Sequence, residues 1–156
     1  MHKWLIVALR VILVCGLAGS LFVQVWMVPL VAVDLAEASA PPAIRLWLPV
    51  ILVAGIATIQ VTMVCVWRLL SMVARGTVFT PRALRWVDVI MGSVLVAALL
   101  LFALGALLAP TDVPPGLVLL VGGAGGLVLG VALLVGVLRA LLVQASGLKH
   151  ELDEVI

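Results

Sequence analysis

Four long apolar runs decide what this chain can fold into: residues 11–33, 47–67, 87–109 and 116–138. Each is long enough to cross a hydrocarbon core of about 30 Å, which takes roughly 20 helical residues. Lipid offers the backbone no hydrogen-bond partner, so a spanning segment is either a helix or a strand of a closed barrel. Barrel strands alternate apolar and polar residues over segments of about ten, whereas these runs are apolar on every face. Helices therefore follow. The composition agrees: 66% of residues are hydrophobic and 10% charged, against about a quarter charged in soluble globular domains. The chain has no Gly/Ser linker, no tract of like charge and no internal repeat. The expected fold is an all-α integral membrane four-helix bundle, a single domain over residues 1–156.

With four spans, both termini share a side. Of the nine Lys and Arg residues, Lys3, Arg10, Arg68, Arg75, Arg82, Arg85, Arg139 and Lys149 fall there, with the loop 68–86 and the tail 139–156. Arg45 alone falls opposite, with Asp34, Glu37 and Asp112. Basic residues mark the cytoplasmic side, so both termini are expected in the cytoplasm and the protein in a membrane, as a multi-pass protein. Trp4, Trp26, Trp47, Trp67 and Trp86 lie near predicted span ends, where indole is half buried with its N–H wet. A basic start and Ala38-Ser39-Ala40 also outline a secretory signal. The run 11–33 exceeds the usual core of about 7–15 residues, and the first run is read as a span.

The connections carry their own signals. Pro41-Pro42 lies in an outer loop over 34–46, and Pro29 and Pro49 on either side are expected to break helix. The stretch APTDVPP makes a tight second outer turn and forces the last two helices to be antiparallel neighbours. On the inner side, RGTVFTPRALRWVDVI (75–90) reads as a helix stop at Gly76, a side-chain cap at Thr80 and a helix start at Pro81. Arg82, Arg85 and Asp88 then form a row at spacing three, which places Arg85 beside Asp88.

Gly122, Gly126 and Gly130 recur at spacing four in the fourth span, with Gly16 and Gly19 as a complementary small face in the first. Such rows admit a second helix closely. Packing within this bundle is the main expectation, with a homo-oligomer seam or a gating break as alternatives. Gln24, Thr58, Gln60 and Thr62 are expected to hydrogen-bond between helices. No ionisable residue lies deep in a span, which disfavours proton-coupled transport. Cys15 and Cys65 read as buried apolar residues on a reducing side, neither a disulfide nor a metal site. No phosphate loop, zinc pair or nucleophile elbow is present. An enzyme is not expected, nor a cofactor.

The tail RALLVQASGLKHELDEVI continues the helical period. Leu141, Ala145, Leu148, Leu152 and Val155 form one apolar stripe, and Lys149, His150, Glu151, Asp153 and Glu154 occupy the other faces. The stripe is suited to the protein's own loop, to a second copy or to another protein. The acidic end is expected within reach of Arg75, Arg82 or Arg85.

Three stretches, VCVWRLLSMVARGTVFTPRALRWVDVI, QVWMVPL and LKHELDEVI, resemble the DUF2975 family of small bacterial four-span membrane proteins, in particular its actinobacterial branch. On that resemblance the landmark residues are Arg68, Gly76, Phe79, Thr80, Arg85 and Asp88 in the loop region, and Leu148, Glu151 and Asp153 in the tail. The resemblance implies no assigned activity. It does imply one partner, a small helix-turn-helix regulator. The resulting expectation is a regulatory or interaction protein that engages a cytosolic partner through Arg75, Thr80, Arg82, Arg85, Asp88, Lys149, Glu151 and Asp153. The alternative is an oligomeric pore or transporter subunit packed through the glycine face. The bilayer is a partner in either case, the arginine cluster also suits anionic lipid head groups, and direct nucleic-acid contact is not expected.

The orientation is testable by cysteine labelling after Cys15 and Cys65 are replaced by Ser. In intact cells an impermeant maleimide should label Ser39→Cys and Thr111→Cys but not Thr77→Cys or Gly147→Cys. The reverse pattern inverts the topology.

Overall fold

The computed structural model describes the backbone of residues 2–155 and the side chains of residues 3–155, so residues 1 and 156 of the expected domain lie outside it. Among the described residues there are four helical rods and no strand. The first rod joins α1 (His2–Phe22), a π-helical turn (Val23–Met27) and α2 (Val28–Glu37). The others are α3 (Pro42–Ala74), α4 (Pro81–Leu108) and α5 (Pro115–Val155). Each rod is long and apolar enough to cross a membrane.

Pro29 and Pro49 do not break helix as expected. Both lie inside rods, and the first connection, expected over 34–46, shrinks to residues 38–41. A proline removes one donor and crowds the carbonyl four residues back. Unwinding in lipid would strand several backbone groups, so the helix deforms instead. Ahead of Pro29 it widens into the π turn, in which the Val28 N–H donates to the Val23 carbonyl five residues back.

The main interfaces follow chain order: the first rod lies on α3, α3 on α4, and α4 on α5. Small residues make the closest of these contacts. Ala83, Ala98 and Gly105 of α4 are buried, as are Gly125 and Ala132 of α5. A Cβ added at Gly125 would lie 3.2 Å from Phe102 Cε1 and 3.3 Å from Leu101 Cβ. Gly122, Gly126 and Gly130 do not fill the expected role inside the bundle, because a Cβ on any of them meets nothing within 4 Å. The seam follows Gly125 and Ala132, and one residue along a helix turns a side chain by about 100°. Of the two glycines in the first span, Gly16 packs against Met63, whose Cε would lie 3.0 Å from an added Cβ, and Gly19 faces open space.

Polar residues within the spans tie neighbouring rods. Gln60 of α3 donates to Gln24 in the π turn at 2.9 Å and to Ser20 at 3.3 Å. Thr62 of α3 meets Ser93 of α4 at 2.7 Å. Thr58 departs from the expectation, since its hydroxyl donates to the Gly55 carbonyl of its own helix. Each interhelical bond contributes about 0.6 kcal/mol in such settings. Cys65 is buried as expected, but Cys15 is exposed on the outer face of α1.

The packing difference between glycines predicts opposite outcomes. Gly125→Leu should destabilise the α4–α5 pair by about 1–3 kcal/mol through overpacking, and Gly130→Ala should stay within about 0.5 kcal/mol. Unfolding of purified protein in mixed micelles, followed by circular dichroism, measures both.

Candidate functional site at the basic end

The end of the bundle that carries both termini gathers nearly all the cationic residues, and its shape begins with how α3 stops. Gly76 adopts a left-handed conformation with φ of 69°. Its N–H donates to the Val73 carbonyl at 3.0 Å, and the Thr77 N–H reaches the Met72 carbonyl at 3.0 Å. This is the paired closure by which glycine terminates a helix, as the sequence predicts. Pro81 opens α4, also as predicted. Thr80 precedes it in extended conformation but supplies no side-chain cap. Its hydroxyl donates to the Thr77 carbonyl at 2.8 Å and so stiffens the loop instead.

Asp88 is not paired with Arg85. It accepts two hydrogen bonds from Arg139 of α5, one from Nε to Oδ1 and one from Nη2 to Oδ2 at 3.1 Å. Side chains on a helix lean toward its N-terminus, so Arg85 leans away from the short Asp88 carboxylate. Arg139 faces Asp88 across the α4–α5 interface, and its planar fork matches a carboxylate in two places. Both side chains are part exposed, at 38% and 41%. The pair fastens α4 to α5 at the edge of the apolar spans.

Other cations rest on aromatic rings. Arg10 lies 5.5 Å from the Trp67 ring centroid and donates to Ser71 Oγ at 3.5 Å, which joins α1 to α3. Arg68 lies 5.8 Å from the Trp86 ring, which joins α3 to α4. Lys149 lies 5.0 Å from the Phe79 ring, which brings the tail to the loop. Arg68, Arg75, Thr80, Arg82, Arg85 and Trp86 line an open groove of about 800 Å³.

The tail is helical to Val155. At 41 residues, α5 is about 60 Å long, twice the hydrocarbon thickness. Its apolar stripe does not settle on the loop: Leu148 is 62% exposed and Val155 85%. Nor does the acidic end reach the loop arginines. Among the described residues the ion pairs are Arg139–Asp88 and His150–Glu154, the latter at 3.6 Å and charged only when His150 is protonated. Glu151 and Asp153 are exposed. An unbroken helix projects past the loop, and Lys149 turns back to it. Among the described residues no three His, Cys, Asp or Glu side chains cluster as metal ligands would.

Sequence reasoning missed Arg139 and Ser93. Arg139 carried a signal, as the one cation at the inner end of the fourth span. Ser93 carried none, because hydroxyls in spans are common and its facing is set by packing.

The fold and this basic end define a helical multi-pass membrane protein with four spans. The chain belongs to the family described as "Protein of unknown function (DUF2975)", whose pattern matches residues 5–156. No curated protein and no solved structure matches it.

A double-mutant cycle tests the Asp88–Arg139 pair. Hydrogen bonds to charged groups contribute about 1.5–3 kcal/mol, and the exposure here reduces this toward about 1 kcal/mol. Asp88→Asn and Arg139→Gln should each destabilise by that amount, and the combined variant should fall short of their sum. Arg85→Gln should leave the cycle unchanged.

Proposed function

We propose that this is a non-enzymatic regulatory or interaction protein of the bacterial plasma membrane, with its basic end in the cytoplasm, where it engages a cytosolic partner. The placement of eight of the nine Lys and Arg residues on the side of the termini and loop 68–86 supports the orientation. The observation that carries the reading is the exposed apolar stripe of Leu148, Leu152 and Val155, on a helix that extends beyond the bundle. A helix with an apolar stripe on one face and charges on the others is suited to a groove or a second helix. By family resemblance the partner is a small helix-turn-helix regulator. Leu148→Lys with Leu152→Lys should remove a co-purifying cytosolic protein from detergent extracts of native membranes and leave the helical content unchanged. An unchanged set of co-purifying proteins contradicts the reading.

The outward Gly122, Gly126 and Gly130 face favours a second reading, an oligomeric pore or transporter subunit. That face is unused within the protein, and close helix approach between copies would use it. Crosslinking in lipid should then give dimers or larger species that Gly126→Leu abolishes. Monomers alone in the unsubstituted protein argue against this second reading.

A further inference from the structure

The groove at the basic end holds four guanidinium groups and no carboxylate. Arg68, Arg75, Arg82 and Arg85 all line it. Asp88 is occupied by Arg139 on the neighbouring interface, and further along the tail Glu154 faces His150, with no ion pair to a groove arginine among the described residues. Two of the four arginines are held in place, Arg68 over Trp86 and Arg75 by a 3.1 Å bond from Nε to the Ser71 carbonyl. Arg82 and Arg85 are exposed and make no ion pair among the described residues. Like charges brought together in this way raise a positive potential that favours an anion. The start of α4, which lacks a side-chain cap, adds its partial positive charge at the same edge.

Depth identifies the anion. The uncharged part of α4 runs over residues 89–108, about 30 Å of helix, which matches the hydrocarbon core. Residues 81–88 therefore lie in the head-group layer, where the half-buried Trp86 is at its preferred level. A second hollow shares Arg82, Arg85 and Trp86 with the groove and continues onto Val89. Val89 is exposed and begins the apolar part of α4. The path thus descends from guanidinium groups into hydrocarbon.

We propose that this groove binds the phosphate of an anionic phospholipid, with Arg82 and Arg85 on the phosphate, Arg68 and Trp86 as its wall, and an acyl chain running down past Val89. A free phosphate shares the chemistry of the upper half of the site but has no use for the lower. The site is separate from the exposed tail stripe and does not depend on it.

Native mass spectrometry of the full-length protein, with phosphatidylglycerol or phosphatidylcholine added to the micelles, tests this. The protein should retain phosphatidylglycerol in preference, and Arg82→Gln with Arg85→Gln should reduce that preference by more than about tenfold, roughly fivefold for each basic residue. Lys3→Gln with Arg45→Gln removes the same charge elsewhere and should leave it intact. Circular dichroism confirms that each variant is folded. Equal retention of the two lipids, or an equal loss of preference in both double variants, overturns the proposal. In a parallel arm, inorganic phosphate at matched ionic strength should not displace the lipid or raise the melting temperature. If phosphate does both, the site belongs to a free anion and the lipid assignment fails.

Discussion

The low polarity of the bilayer core is the constraint on which the rest of this structure depends. It requires every backbone group in the spans to bond internally, which makes four helices of four apolar runs. It is strong enough to carry helix through Pro29 and Pro49, with a π turn absorbing the first of them. It also excludes charge from the interior, so cations gather at the ends. Only small residues and a few polar pairs, Gln60 with Gln24 and Thr62 with Ser93, distinguish one helix face from another within the spans.

At the basic end, one pairing settles the rest. Asp88 bonds to Arg139 across two helices, not to Arg85 along its own. The α4–α5 seam built on Gly125 and Ala132 is thereby closed at its basic end. The same pairing takes away the one carboxylate that would have neutralised Arg82 and Arg85. Those two, with Arg68 and Arg75, line a groove, proposed above to lie at the level of the lipid head groups. Beyond that layer α5 continues as a helix whose apolar stripe has no cover in this chain. The basic end thus offers two distinct surfaces, a cationic groove and an exposed apolar stripe.

Local features were legible in the sequence and facings were not. The number of rods, the stop at Gly76 and the start at Pro81 depend on nearby residues, and periodicity and proline or glycine chemistry reveal them. Arg85 beside Asp88 was a fair inference from spacing, but the partner that prevailed lay 51 residues away, and rotation of α5 put it there. Packing of the glycine row inside the bundle was misjudged for the same reason. A repeat of four establishes a smooth face, and only packing decides which way it turns, so the seam went to Gly125. The tail was readable as a helix with a stripe, but whether the stripe folds back depends on the reach of a rigid rod past a short loop. The family pattern covers residues 5–156 and describes no activity, so function is argued from surfaces alone.

In the arrangement proposed above, Asp88 holds Arg139 and leaves Arg82 and Arg85 to the lipid phosphate. The most direct measurement is solid-state dipolar recoupling between arginine guanidinium ¹⁵N and lipid ³¹P, on protein in phosphatidylglycerol bilayers. Strong dephasing is expected, most of it lost on Arg82→Lys with Arg85→Lys and kept on Arg139→Lys. Dephasing that survives the first change and disappears with the second would contradict it.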